Sequence, residues 1–186
     1  MVRLCLLASV ATLAIGVYGA MAQSISLAPS PAVKARVEAL LGQMTQAEKL
    51  DLINGQVPAM MKDKPADVLI SAGYTQGIPR LGIPDIRETD ASLGVANAGR
   101  PDDDATALPS SLMLAATFDP ATAFAGGAMI GREARQKGFN VMLDGGVNLV
   151  REPRNGRNFE YLGEDPLLAG TLAGEAVRGI ETNAVA

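Results

Sequence analysis

The chain contains no histidine and no tryptophan, and it has a single cysteine, Cys5. Without histidine there is no imidazole base, none of the commonest metal ligand, and no Ser-His or Cys-His nucleophilic arrangement. Acid–base chemistry therefore falls to carboxylates. Long runs of one charge are also missing: 16 Lys and Arg stand against 20 Asp and Glu, for a net charge of -4. That balance argues against a nucleic-acid groove or an anionic membrane surface and leaves small molecules as the expected partners. The densest acidic run, Asp102-Asp103-Asp104, lacks the Gly and downstream Glu of a calcium loop, so a solvated loop is expected there and no metal or other cofactor is called for. The 186 residues suit one modest domain but fall short of the roughly 250 of a complete (β/α)8 barrel.

The one long apolar run lies at the N-terminus. Arg3 precedes it, Leu4 to Val17 form it, and Ala20-Met21-Ala22 supplies an A-x-A cleavage signature. Residues 1–22 are therefore expected to be a secretory signal peptide, leaving 23–186 as the mature domain in a periplasm or outside the cell, free of the membrane. A membrane anchor is the bland alternative, but the run is shorter than the roughly 20 residues a span needs. Cleavage would remove Cys5 and with it any thiolate ligand or disulfide.

Along the mature chain, Ser30-Pro31 and Asp119-Pro120 read as cap-plus-proline helix starts, Thr45-Gln46-Ala47-Glu48 as a capping box opening a short helix that Gly55 can end, and Asp165-Pro166 as the cap of a last amphipathic helix. Residues 56–82 hold Pro58, Pro65, Gly73, Gly77 and Pro79 and are expected to be a long surface connection. Buried strands are expected at Leu81 to Ile86, Leu112 to Ala116 and Phe139 to Leu143, with Val147 to Val150 returning to an apolar environment. Gly126, Gly127 and Gly131 lack the Lys-Ser/Thr of a phosphate loop and fall inside a helix, where small residues permit close packing. Strands alternating with helices predict an α/β fold built on a parallel sheet.

The chemistry gathers in residues 148–166, NLVREPRNGRNFEYLGEDP, with Arg151, Arg154 and Arg157 among Glu152, Glu160, Glu164 and Asp165. An arginine fork holds two neighbouring oxygens and keeps its charge, and a carboxylate accepts two hydroxyl hydrogen bonds. Asp90, expected just beyond a strand end, and an arginine of this loop can therefore grip a pyranose ring from two sides. Two plainer readings stand beside this one. Asp90 before small residues is a common turn former, and the arginines can form an internal salt-bridge network with the loop carboxylates. Glu160, three residues after Arg157, is expected to orient that guanidinium rather than act as a catalytic acid.

The order GIPRLGIPDIRETDASLGV, then ATALPSSLMLAATFDP, then IGREARQKGFNVMLDGGVNLVREPRNGRNFEYLGEDPLLAG resembles the N-terminal domain of family 3 glycoside hydrolases, the β-glucosidase and β-xylosidase group, over about Val37 to Glu181. The resemblance implies the N-terminal part of a (β/α)8 TIM-type barrel, incomplete here, in an enzyme that hydrolyses terminal β-linked sugars with retention. By matching position, Asp90 and Arg157 correspond to residues that bind the terminal sugar. The family's Asp-Gly-Pro-x-Gly-x-Arg is departed from at Ala91-Ser92-Leu93-Gly94-Val95-Ala96, so the second arginine of that loop is replaced by Ala96. The resemblance also places a Lys-His pair and the nucleophilic Asp beyond Ala186. No carboxylate pair within the chain suits retaining hydrolysis, which needs two about 5 Å apart. The expectation is thus the sugar-binding front of a β-glucosidase-like enzyme, inactive alone and taking a small-molecule or oligosaccharide β-glycoside, with a non-catalytic sugar-binding module or a truncated fragment as the alternatives.

Overall fold

A computed structural model describes residues 29–144 and 146–186, so the expected signal segment lies outside the described residues. Two compact units are distinguished, one ending at Ala39 and one running Leu40–Ala186. Helix α1 (Pro31–Gln43) starts as expected, with the Val33 amide donating to Ser30 Oγ at 3.3 Å, and none of its residues is buried.

Helix α2 (Gln46–Leu52) carries the full capping box. The Glu48 amide donates to Thr45 Oγ1 at 3.2 Å, while Glu48 Oε2 accepts from the Thr45 amide at 2.8 Å. Arg80, in a 3-10 turn at Pro79–Leu81, adds a fork onto the same carboxylate, with Nε donating to Oε1 at 2.8 Å and Nη2 to Oε2. The Arg80 hydrogen bond, then those from Thr45, hold the Glu48 carboxyl down at about 2 against an ordinary 4.5. A carboxyl depressed in the folded state contributes stability that is complete above pH 4.5 and is lost as pH falls through about 2. The gap in denaturation midpoint between the protein and Glu48→Gln should therefore stay constant above pH 4.5 and close towards pH 2. A gap that ignores pH would mean the charge contributes nothing.

The sheet has three strands in the order β1 (Gly73–Thr75), β2 (Ile86–Ala91), β3 (Val141–Asp144). β2 and β3 are parallel, with Asp90 opposite Leu143, whereas β1 runs antiparallel, with Tyr74 opposite Arg87. This corrects three expectations. Residues 56–82 are not simply a surface connection, because β1 lies within them and Val68, Tyr74 and Ile78 are buried. The strand expected at Leu81 to Ile86 instead begins at Ile86, because Leu81 closes the 3-10 turn and Ile83 bridges back to Ile78. Finally, the sheet is not wholly parallel. Asn140 aligns the starts of β2 and β3: its Oδ1 accepts from the Arg87 amide at 2.8 Å and its Nδ2 donates to the Asp85 carbonyl at 2.7 Å.

The segment expected as a strand at Leu112 to Ala116 is a helix, α3 (Ser111–Ala115). Ser110 Oγ accepts from the Met113 amide at 3.2 Å, and Leu, Met and Ala are strong helix formers without a β-branch. Helices α4 (Pro120–Gln136) and α5 (Pro166–Glu181) start at Asp119 and Asp165, whose carboxylates accept from Ala121 and from Leu167 and Leu168. They pack so closely that a Cβ at Gly127 would lie 2.0 Å from the Ala176 carbonyl oxygen. Together they cover one face of the sheet through Ile130, Ala134 and Ile180 against Ala91, Phe139 and Met142. After α5 the chain returns beside β3: the Ala186 amide donates to the Asn140 carbonyl at 3.0 Å and the Met142 amide to the Ala186 carbonyl at 2.7 Å, the pattern of a parallel neighbour. Val147, expected to re-enter an apolar environment, is 56% exposed.

Candidate functional site

The face of the sheet opposite α4 and α5 carries the site. Side chains alternate along a strand, so burial of Thr89 and Ala91 sends Asp90 and its partner Leu143 to the other side, where Asp90 is exposed. Asp90 is the second-last residue of β2 and thus stands at its C-terminal end, inside the strand rather than just past it. The chain then turns tightly: Val95 bridges Ala91, and the Ala96 amide donates to the Asp90 carbonyl at 2.8 Å. Gly94 makes this turn at φ 124, and a Cβ there would meet the Thr106 carbonyl oxygen at 2.3 Å. The Asp90 backbone is thereby held on two sides, by the β3 ladder and by the turn.

The charged loop is closed at its base by the Val150 amide donating to the Gly163 carbonyl at 2.9 Å. Asn158 Nδ2 pins its near limb by donating to the Glu152 carbonyl at 3.0 Å. A 3-10 turn at Asn158–Glu160 then brings Glu160 back under Arg157. Arg157 Nε donates to both Glu160 oxygens at 3.0 Å and Nη2 to Oε2. The Glu160 side chain is 11% exposed and that of Arg157 69%, so a buried carboxylate holds a guanidinium whose remaining donors face solvent. The Glu160 hydrogen bond and charge push the Arg157 pKa up, with smaller contributions from Tyr161 and Asp90.

Asp90, Arg157 and Glu160 all line one open cleft of about 970 Å³. Arg154 does not line it, and pairs instead with Glu152 at 2.9 Å on the open surface. Asp165 is engaged in capping α5, and Arg151 forms no ion pair among the described residues. The loop thus carries two separate ion pairs rather than a single network. Sequence reasoning missed Ser92, Asn97, Asn148, Phe159 and Tyr161 as cleft residues. Phe159 and Tyr161 were discoverable, because they flank Glu160 in a chain with only four Phe and three Tyr. The run Asp102–Asp104 is not simply solvated: Asp103 accepts from Arg100 Nε at 2.7 Å and also bonds Lys137.

An open polar cleft with a carboxylate, a permanently charged fork and an exposed aromatic suits a polyhydroxylated ligand. Residues 27–186 match the family profile of the glycosyl hydrolase family 3 N terminal domain. The chain is 37% identical over 163 residues to the beta-glucosidase BoGH3A of Bacteroides ovatus, spanning 83% of this chain and 20% of that protein. It is 34% identical over 150 residues to beta-glucosidase A of Butyrivibrio fibrisolvens, spanning 81% and 17% respectively. Among solved structures, beta-glucosidase 3B of Thermotoga neapolitana in complex with alpha-D-glucose superposes with a TM-score of 0.72 at 35% identity, over 81% of this chain and 22% of that one. DesR, a beta-glucosidase of Streptomyces venezuelae in complex with D-glucose, gives 0.69 at 34% identity, over 81% and 18%. The chain therefore spans about a fifth of the length of the relatives it matches.

Proposed function

The chain belongs to glycosyl hydrolase family 3, as a match to its N-terminal domain, and from that premise we propose that it supplies the sugar-binding front of a β-glucosidase-like site. Its fold is α/β, the N-terminal part of a TIM-type barrel, so ligands are expected at the C-terminal ends of the strands, where Asp90 stands. The observation that carries the proposal is the opening of Asp90 and Arg157, from separate strand-end segments, onto one cleft. Asp90 accepts two hydroxyls of a terminal β-linked sugar. Arg157 donates to further ring oxygens, and Glu160 keeps its guanidinium turned to the cleft.

Binding and turnover separate in this reading. Retaining hydrolysis needs one carboxylate to attack the anomeric carbon and another to protonate the leaving oxygen. Asp90 is occupied with the ring, and Glu160 is locked to Arg157 by three hydrogen bonds. The 186-residue chain should therefore bind glucose yet release no nitrophenol from aryl β-glucosides above a blank. Release that survives stringent purification would overturn the assignment of these carboxylates.

A second reading has its own observation. An apolar cavity of about 530 Å³, lined by Leu108, Met113, Leu114, Val147, Leu162 and Leu172 among others, opens beside α3, α4 and α5. In this reading the chain self-associates through that apolar surface and the polar cleft takes no sugar. Glucose calorimetry separates the two, because only the first reading gives heat that disappears in Arg157→Ala.

A further inference from the structure

We infer that Arg100 is a positioning residue for Asp90, setting sugar affinity through the backbone without touching the ligand; the inference rests on the sugar-binding reading of the cleft. Arg100 is 9% exposed, a buried charge outside the cleft lining, and every nitrogen of its guanidinium is engaged. Nε donates to Asp103 Oδ2 at 2.7 Å, Nη1 to the Ile70 carbonyl and Nη2 to the Ala96 carbonyl. Its Cζ lies 5.3 Å from the centre of the Phe139 ring, which offers the cation a π-face.

Ala96 links this cluster to the site. Its carbonyl accepts from Arg100, while its amide donates to the Asp90 carbonyl at 2.8 Å. One residue thus carries the pull of the buried guanidinium to the backbone of the ligand-facing carboxylate. The anchor is itself tied down: Asp103 accepts from Lys137 at the C-terminal cap of α4, and Asn97 Nδ2 donates to the Asp103 carbonyl at 2.9 Å. A continuous path of hydrogen bonds therefore runs from α4 through Lys137, Asp103, Arg100 and Ala96 to Asp90. Burying a cation costs free energy unless it is paired and fully hydrogen-bonded, and here it meets a carboxylate, two carbonyls and a ring. A lysine offers one point of charge and cannot reach three acceptors set in different directions. The Ala96 side chain carries no donor with which to brace the turn, so the side-chain bracing comes from Arg100 beneath.

The test compares Arg100→Met, Arg100→Lys and Asp90→Ala in the full chain, reading glucose affinity by calorimetry, amide exchange at Ala96 and thermal unfolding. Arg100→Met should weaken glucose binding about tenfold, the equivalent of one hydrogen bond of about 1.4 kcal/mol. It should also speed exchange of the Ala96 amide selectively. Arg100→Lys, which keeps the buried charge beside Asp103 and thus favours folding, should show the same faster exchange with cooperative unfolding intact. Unchanged affinity and exchange in both Arg100 variants, with binding lost in Asp90→Ala, would overturn the positioning role alone. Unchanged affinity in Asp90→Ala would overturn the sugar-binding reading and the positioning role with it. A uniform rise in exchange across the whole domain would also overturn it, by reducing Arg100 to a stabiliser of the fold.

Discussion

Asp90→Ala should weaken glucose binding about 100-fold, and Arg157→Ala comparably, while Arg154→Ala leaves it unchanged. The figure follows from two charge-assisted hydrogen bonds of about 1.5 kcal/mol each, some 3 kcal/mol together, where 1.4 kcal/mol is tenfold. Arg154 is the internal control, because it belongs to the same loop and also forks a glutamate, yet lies outside the cleft with its side chain 87% exposed. If all three arginine and aspartate variants lost affinity alike, the loop would act as a diffuse charge rather than a shaped site. If Arg157→Ala bound normally, its alignment by Glu160 would serve only the loop. Calorimetric titration of each variant with glucose decides between these outcomes.

The largest stability effect is expected where α4 meets α5. A Cβ at Gly127 would sit 2.0 Å from the Ala176 carbonyl oxygen, at Gly131 2.6 Å from that of Ile180, and at Gly179 2.2 Å from that of Phe124. These are backbone atoms, so the clash is relieved only by moving the helices apart. Gly127→Ala should cost about 3 kcal/mol or more, the upper range for overpacking, and Gly127→Val should abolish cooperative unfolding altogether. Gly126 is one residue away on the same helix, but its Cβ would meet only Leu108 Cδ1 at an ordinary 3.7 Å. Gly126→Ala should thus raise stability by up to about 1 kcal/mol through helix propensity alone. Thermal unfolding followed by circular dichroism reads both. Equal effects at the two positions would remove the close-packing explanation of the glycines.

What the sequence disclosed divides along the range of the interactions. Helices α2, α4 and α5 were legible because their signals are local: Thr45 with Glu48, Asp119 with Pro120 and Asp165 with Pro166 each act within four residues. The strands were less so. β2 has the sequence IRETDA, and Arg87 and Glu88 disqualify it from a search for apolar runs, but Arg87 is satisfied by Asp67 at 2.6 Å and Asp85 at 3.1 Å. β1 is three residues long and exists through its pairing with β2, which no local pattern announces. At Leu112 to Ala116 the apolar run points to a strand, but the Ser110 cap decides for a helix.

The site divides in the same way. Asp90 at a strand end and the spacing of Arg157 to Glu160 could be read from the chain, since both rest on near neighbours in sequence. Arg100 could be read only in part: Asp103 stands three residues on, but its other two acceptors are the carbonyls of Ile70 and Ala96, and a carbonyl is the same at every residue. The charge that a sequence displays is no guide to whether it faces ligand or props up a turn; that depends on which backbone atoms the fold brings beneath it.

The proposal that Asp90 and Arg157 grip one sugar ring is tested most directly by nuclear magnetic resonance of the isotopically labelled chain during glucose titration. Shifts confined to the cleft are expected: the Arg157 Nε–H signal, the amides of Asp90 to Asn97, and those of Phe159 to Tyr161. Shifts centred on the apolar cavity beside α3, or an Arg157 Nε–H signal that stays in place while glucose binds elsewhere, would contradict it.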